Sequence, residues 1–327
     1  MSLKNIYHAV EAELYEVEKL LLSVKSEGSA WLDEMVAYSL KSGGKRVRPA
    51  LTLLSGKLFE YHLESLLPMA ASIELMHTAT LIHDDAIDKS PVRRAKSTIY
   101  CVWGEAKTIL LGDFLFAKAG ELATDTGSLP AVRLFTETLA IISTGEVNQS
   151  FSAFNLEQTR EQYLERIACK TASLFALSTE SGGLLSLALP AAIRALRNYG
   201  YNLGIAFQII DDILDFTSTE KLMGKPIGSD LAQGTLTLPS MIILENYPKN
   251  NPVKSLFENH DRLSEQEIHL YVNQAREIVS GTSIAVDCRK AAAEYSQKAY
   301  DCLKELPVGK TRRMLEELCD FILERQK

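Results

Sequence analysis

The sequence predicts an all-α fold, one large helix bundle spanning residues 1–327 around a central cavity. Three observations lead there. Apolar residues recur at spacings of three and four almost throughout, the period of a single helix face. Runs alternating with period two, the mark of a half-buried strand, are scarce. No Pro-, Gly- or Ser-rich stretch divides the chain, so its 327 residues read as one domain. With 46% hydrophobic and 24% charged residues, the chain can bury a large core and is not of the disordered class.

The first helix is expected over 4–26, where Leu14, Val17, Leu20, Leu21 and Val24 form one stripe, and a second over 30–41. Ser42, Gly43 and Gly44 interrupt the pattern. Pro49 then marks the start of a helix over 48–59, since a proline is tolerated in a first turn. A long helix over 64–88 follows, with Ile73, Met76, Thr80 and Ile87 on its stripe, and Ser90-Pro91 ends it. Helices over 105–125, 129–155 and 159–187 carry the chain to Pro190, which opens a helix over 190–216. Gly224 to Gly234 is the longest polar interruption, a composition that suits a phosphate-covering loop or a plain surface connection. Helices over 236–246, 263–280, 283–304 and 309–325 complete the chain.

A formal charge of -7, with a single short basic cluster at Lys45 to Arg48, argues against nucleic acid as a partner. Five cysteines form no C-x-x-C pair and have no zinc-like spacing, which fits a reducing cytoplasm. The first residues do not read as a signal peptide. The most apolar segment, Gly183 to Ile193, is half of the about 20 residues a membrane span needs. A cytoplasmic protein is expected, with at most a transient membrane contact.

The chemistry concentrates in a few segments. Asp84, Asp85 and Asp88 form a DDxxD pattern in which Asp84 and Asp88, four apart on a helix, project from one face. Two such carboxylates repel unless a cation sits between them, and oxygen-only ligands select a hard ion such as Mg²⁺. One such motif is equally well a solvated acidic helix end. It recurs, however, as Asp211, Asp212 and Asp215, again ending an apolar helix. Two acidic clusters facing across a cavity can hold metal around a leaving diphosphate. Gly43 to Pro49 supplies Lys45 and Arg48 in a flexible loop before a helix N-terminus, where anions bind, and Arg93 and Arg94 follow Asp88 closely. His77, seven before Asp84, shares its face; His83 does not and reads as packing. Gln208 lies three before Asp211, and Lys170-Thr171 puts a charge and a hydroxyl into an apolar helix.

In their order, GGKRVRP, HTATLIHDDAID, RR, KTASLF, FQIIDDILD and GKPIGSD, these segments resemble the all-trans polyprenyl diphosphate synthase family over roughly residues 40 to 240. The resemblance implies the isoprenoid synthase type of helix bundle and a prenyltransferase that joins isopentenyl diphosphate to an allylic diphosphate. It implies Asp84, Asp88 and Asp211 as principal Mg²⁺ ligands, for about three ions per site, with Asp85, Asp212 and Asp215 in support. Arg93, Lys170, Thr171, Gln208 and Lys225 would then contact the allylic substrate. Lys45, Arg48, His77 and Arg94 would hold isopentenyl diphosphate. Proton loss would occur near Thr171 and Gln208. The family is usually homodimeric, and the apolar helices around 105 to 155 are the expected interface. Two positions depart from its pattern, Ala95 where glycine is usual and Thr235 where lysine is common. Ala95 is expected to alter only local backbone freedom, and Thr235 to loosen loop closure.

Product length would be set by Met76, Ala79 and Thr80 ahead of Asp84, with Leu134 or Phe135 as a floor. Ala79 and Thr80 are small where short-chain members typically place an aromatic ring. That implies a product beyond 15 carbons; Gly145 to Gln149 resembles the long-chain branch of the family, and by that analogy the product is expected at roughly 25 to 40 carbons, with geranylgeranyl diphosphate, at 20, as the alternative. A terpene cyclase would not need the second cationic set, a metal-storage bundle would need Glu-x-x-His pairs, and a non-catalytic subunit of a two-component synthase would generally lack the aspartate motifs.

Overall fold

Helices account for nearly all of the regular structure in the computed structural model, which describes residues 6–41, 43–219 and 227–325. A short 3₁₀ turn, His8–Val10, leads into α1 (Glu11–Ser23), followed by α2 (Ala30–Leu40), α3 (Val47–Gly56) and α4 (Leu63–Ile87). A small hairpin, β1 (Val92–Arg93) and β2 (Lys96–Ser97), precedes α5 (Ile99–Trp103), α6 (Glu105–Thr124) and α7 (Leu129–Phe151). Next come α8 (Arg160–Ile167), a π-helical turn (Ala168–Ala172), α9 (Ser173–Leu185) and α10 (Pro190–Thr217). The chain ends with α11 (Ser229–Ala232), α12 (Leu238–Asn246), α13 (Pro252–Asn259), α14 (Glu265–Gly281), α15 (Ile284–Leu303) and α16 (Lys310–Glu324).

The helix starts follow local chemistry. Ser29, Ser128, Thr159, Asn251 and Ser264 each accept a backbone N–H of the first turn with a side-chain oxygen, satisfying a donor the helix leaves open. Proline occupies the first turn of α7, α10, α12 and α13, where its missing N–H costs nothing.

Two long helices, α4 and α10, form the centre. α10 packs on α9 and α15, and α4 packs on α6, α3 and α1. Glycines allow the closest approaches: a Cβ at Gly200 would lie 2.4 Å from the Phe175 carbonyl oxygen, and one at Gly182 the same distance from that of Thr52. A single cluster of buried side chains runs through all these helices, from Ile6 to Ile322. α4 is the one described helix long and apolar enough to cross a bilayer, and 67% of its apolar window is buried in the bundle. A helix apolar on every side is what a bundle centre requires.

Four expectations need correction. The segment 159–187 is α8 and α9 joined by the π turn. Residues 92–97 form a hairpin whose two central residues, Arg94 and Ala95, have φ of 52° and 59°; the absence of the usual Asn-Gly or Asp-Gly signal hid it. α5 and α11 are too short for periodicity to reveal, and α13 lies beyond the helix placed at 236–246.

Candidate active site

The ends of α4 and α10, the hairpin, the loop before α3 and the π turn surround a cavity of about 670 Å³. α4 supplies Glu74, His77, Thr80, Asp84 and Asp88, at spacings of three and four that keep them on one face. α10 supplies Phe207, Gln208 and Asp211 from the opposite wall. Lys45 and Arg48 come from the start of α3, Arg93 and Arg94 from the hairpin, and Lys170 and Thr171 from the π turn. A π turn spaces its residues differently from the helices it interrupts and is frequent at functional sites. Here it carries the lysine and hydroxyl to the aspartates. Ser229, Asp230 and Gln233 close one side, and Arg325, just beyond α16, enters from the far end of the sequence.

The acidic and basic groups already neutralise one another. Lys170 Nζ lies 3.3 Å from Asp84 and 2.8 Å from Glu146; burial disfavours its charge, but these carboxylates outweigh burial and hold its proton more tightly than usual. Arg325 Nη2 is 3.1 Å from Asp211, with its guanidinium 4.0 Å over the Phe207 ring. Arg93 Nε donates to Asp85 at 2.6 Å, and Arg94 donates to the Gly43 carbonyl, tying hairpin to loop. Arg48 lies 5.0 Å over the Phe175 ring; burial lowers its pKa to about 10, and its Nε has no hydrogen-bond partner among the described residues. A buried donor without an acceptor favours an incoming anion. His77, between Arg48 and Arg94, is held neutral by burial and by those charges.

Asp88 is pushed up to about 6 by burial and by Asp84 one turn away. A divalent cation fits there, because it would relieve that repulsion and the donors are oxygens. Among the described residues, no three His, Cys, Asp or Glu side chains converge as a finished metal cage. Water and substrate oxygens would have to complete the shell, as they commonly do for Mg²⁺.

The other carboxylates of the two motifs turn away. Asp85, roughly 100° round the helix from Asp84, is a neighbour of the hairpin instead. Asp212 is buried, accepts from Tyr163 Oη at 2.7 Å and Gln208 Nε2 at 2.8 Å, and is raised to about 8 by burial and Asp230. Asp215 is buried too, and accepts from Ser229 Oγ and the Asp230 amide, both at 3.4 Å. Thr171 donates to Gln208 Oε1 at 2.7 Å. Of the residues expected to limit product length, Thr80 lines the cavity, whereas Met76, Ala79 and Phe135 are buried in packing and do not. The reason is angular: Ala79 lies roughly 140° and Met76 roughly 80° from Asp84, against 40° for Thr80. Lys225 lies outside the described residues. Thr235 donates its amide to the Asp230 carbonyl at 2.8 Å.

Sequence reasoning did not find Glu74, Glu146, Tyr163 and Arg325. Tyr163 is a lone residue in an ordinary helical context, Arg325 follows the last helix, and Glu146 stood out only within Gly145 to Gln149, for its bearing on product length. For Glu74 a signal existed, since it lies three residues before His77 on the same stripe.

The polyprenyl synthetase profile matches residues 29–275. Heptaprenyl diphosphate synthase component 2 of Bacillus subtilis is 34% identical over 327 residues, covering 100% of this chain and 92% of that protein. Octaprenyl diphosphate synthase of Escherichia coli is 31% identical over 327 residues, covering 100% of both. A crystal structure of polyprenyl synthase from Caulobacter crescentus, complexed with calcium and isoprenyl diphosphate, superposes with a TM-score of 0.93 at 33% identity, covering 100% of this chain and 98% of that one. With two aspartate-bearing helices and a cationic set on one cavity, and with these matches along its whole length, the chain belongs to the polyprenyl synthetase family and is a prenyltransferase that forms linear polyprenyl diphosphates.

Proposed function

We propose that the chain condenses isopentenyl diphosphate with an allylic diphosphate, in the presence of Mg²⁺, to an all-trans product of roughly 25 to 40 carbons. The observation that carries this is one cavity lined by carboxylates from two helices, Asp84, Asp88 and Asp211, together with Lys45, Arg48, His77 and Arg94. Asp84, Asp88 and Asp211 would hold the metal, which supplies positive charge to the leaving diphosphate. Arg93, Lys170 and Lys225 bind the allylic diphosphate beside it. Lys45, Arg48, Arg94 and neutral His77 hold isopentenyl diphosphate, whose double bond attacks the carbocation left at allylic C1 once the C–O bond has ionised. The C2 proton leaves with the departing diphosphate, next to Thr171 and Gln208. No protein nucleophile takes part; position and charge supply the rate. A small residue, Thr80, on the wall leaves room for a tail longer than that of a 15-carbon product.

The exposed apolar side chains of α6 and α7, including Leu110, Ile141, Val147 and Phe151, suit a homodimer interface. A second reading is favoured by the name of the Bacillus relative: the chain would be the catalytic half of a two-component synthase.

The deciding experiment supplies purified protein with radiolabelled isopentenyl diphosphate, allylic starters of increasing length and Mg²⁺, with chelator as control. Metal-dependent products of 25 carbons or more support the first reading. Arrest at 20 carbons makes the chain a geranylgeranyl diphosphate synthase, and incorporation only with a second subunit selects the two-component reading.

A further inference from the structure

Arg46 sits between Lys45 and Arg48 in the basic loop, and its guanidinium is already taken. Nε and Nη2 both donate to Glu18 of α1, the latter at 3.1 Å, and Nη1 donates to Glu74 of α4 at 2.6 Å. Glu74 is buried, with 5% of its side chain exposed, so this carboxylate depends on the cations around it. The loop backbone rests directly on the network: a Cβ at Gly44 would lie 3.2 Å from Arg46 Nη1, 3.3 Å from Arg94 Nη1 and 3.4 Å from Glu74 Oε1. Arg46 itself adopts φ 49°, ψ 36°, a left-handed conformation that a non-glycine residue keeps only where its surroundings hold it. α1 is tied to the other end of α3 as well, through Glu13 and Lys57 at 2.6 Å.

We propose that Glu18, Arg46 and Glu74 are positioning residues for isopentenyl diphosphate: α1 acts through Arg46 to hold the loop so that Lys45 and Arg48 face the cavity. Arg46 does not bind the diphosphate. The inference rests on the assignment of Lys45 and Arg48 to isopentenyl diphosphate.

Charge and position make opposite forecasts for one variant. Glu18→Gln removes a negative charge near an anion site; if only charge mattered, diphosphate would bind more tightly. If Glu18 positions the loop through Arg46, binding weakens. Calorimetric titration with inorganic diphosphate, and steady-state kinetics with both substrates, should be run on wild type, Glu18→Gln, Arg46→Lys and the control Glu13→Gln. Glu13→Gln loses the far tie but leaves Arg46 alone. The expected result is a KM for isopentenyl diphosphate raised about fivefold in Glu18→Gln and Arg46→Lys, with kcat and the allylic KM within twofold and Glu13→Gln unchanged. Diphosphate affinity should fall in parallel. Tighter or unchanged binding in Glu18→Gln overturns the proposal, as does an equal effect on both substrates or in Glu13→Gln. A wild type without prenyl transfer overturns the functional reading instead, and the titration then decides the role of Glu18 alone.

Discussion

Asp88 stands one turn from Asp84, and loss of solvation together with the charge of Asp84 raises its proton affinity. Replacing it by Asn should cut metal-dependent turnover by about a hundredfold or more and remove most of the rise in melting temperature that Mg²⁺ gives wild type. His77 shows the converse effect. Its folded-state pKa is depressed well below 6.5, so below that pH the unfolded chain takes up a proton that the native protein refuses. Its contribution to stability is present above the unfolded value and lost as pH falls, and His77→Asn should flatten the thermal midpoint between pH 7 and pH 5. The spacing of the aspartates made it readable in advance that Asp84 and Asp88 share a face. Ala95 was less legible: expected to change only local backbone freedom, it sits at φ 59°, a conformation that costs a side chain about 1–2 kcal/mol. Ala95→Gly should raise the unfolding free energy measured by urea titration by up to about 1 kcal/mol with activity retained, after the entropy glycine adds to the unfolded chain is subtracted.

Helix periodicity located the long elements well, because α1, α4, α7 and α10 each hold an apolar pattern over several turns. The same signal cannot show a single π turn or a two-residue hairpin, whose geometry depends on what packs around them. Helix-face arithmetic also limits any claim about product length. Thr80 is the expected length residue that reaches the cavity, so Thr80→Phe should shift the product distribution to shorter chains while total isopentenyl incorporation falls little. Ala79→Phe should instead overpack the core behind α4 and cost stability by about 1–3 kcal/mol. At the α9–α10 contact, Gly200→Ala meets the Phe175 carbonyl and Thr179 hydroxyl at under 2.5 Å. Forcing those helices apart should lower the melting temperature and, by parting Thr171 from Gln208, turnover as well.

At the scale of the molecule, the sequence motifs named most of the cavity but not how its charges are balanced, because Arg325 approaches from a segment far from every motif and nothing in the spacing pairs Glu146 with Lys170. That balance has a thermodynamic consequence. Asp84 and Asp211 already have cationic partners in Lys170 and Arg325, so a metal ion arriving alone must displace both, with Glu146 as the one carboxylate left beside Lys170. A diphosphate arriving alone finds Lys170 and Arg325 still committed to carboxylates. When both come together, each releases what the other needs: the two ligands are linked through a partner exchange, with a coupling free energy that must be the same whichever binds first. The filled state is then reached by joint occupancy, and the half-filled states stay sparsely populated, which protects a carbocation-forming site from assembling around an incomplete set of reactants.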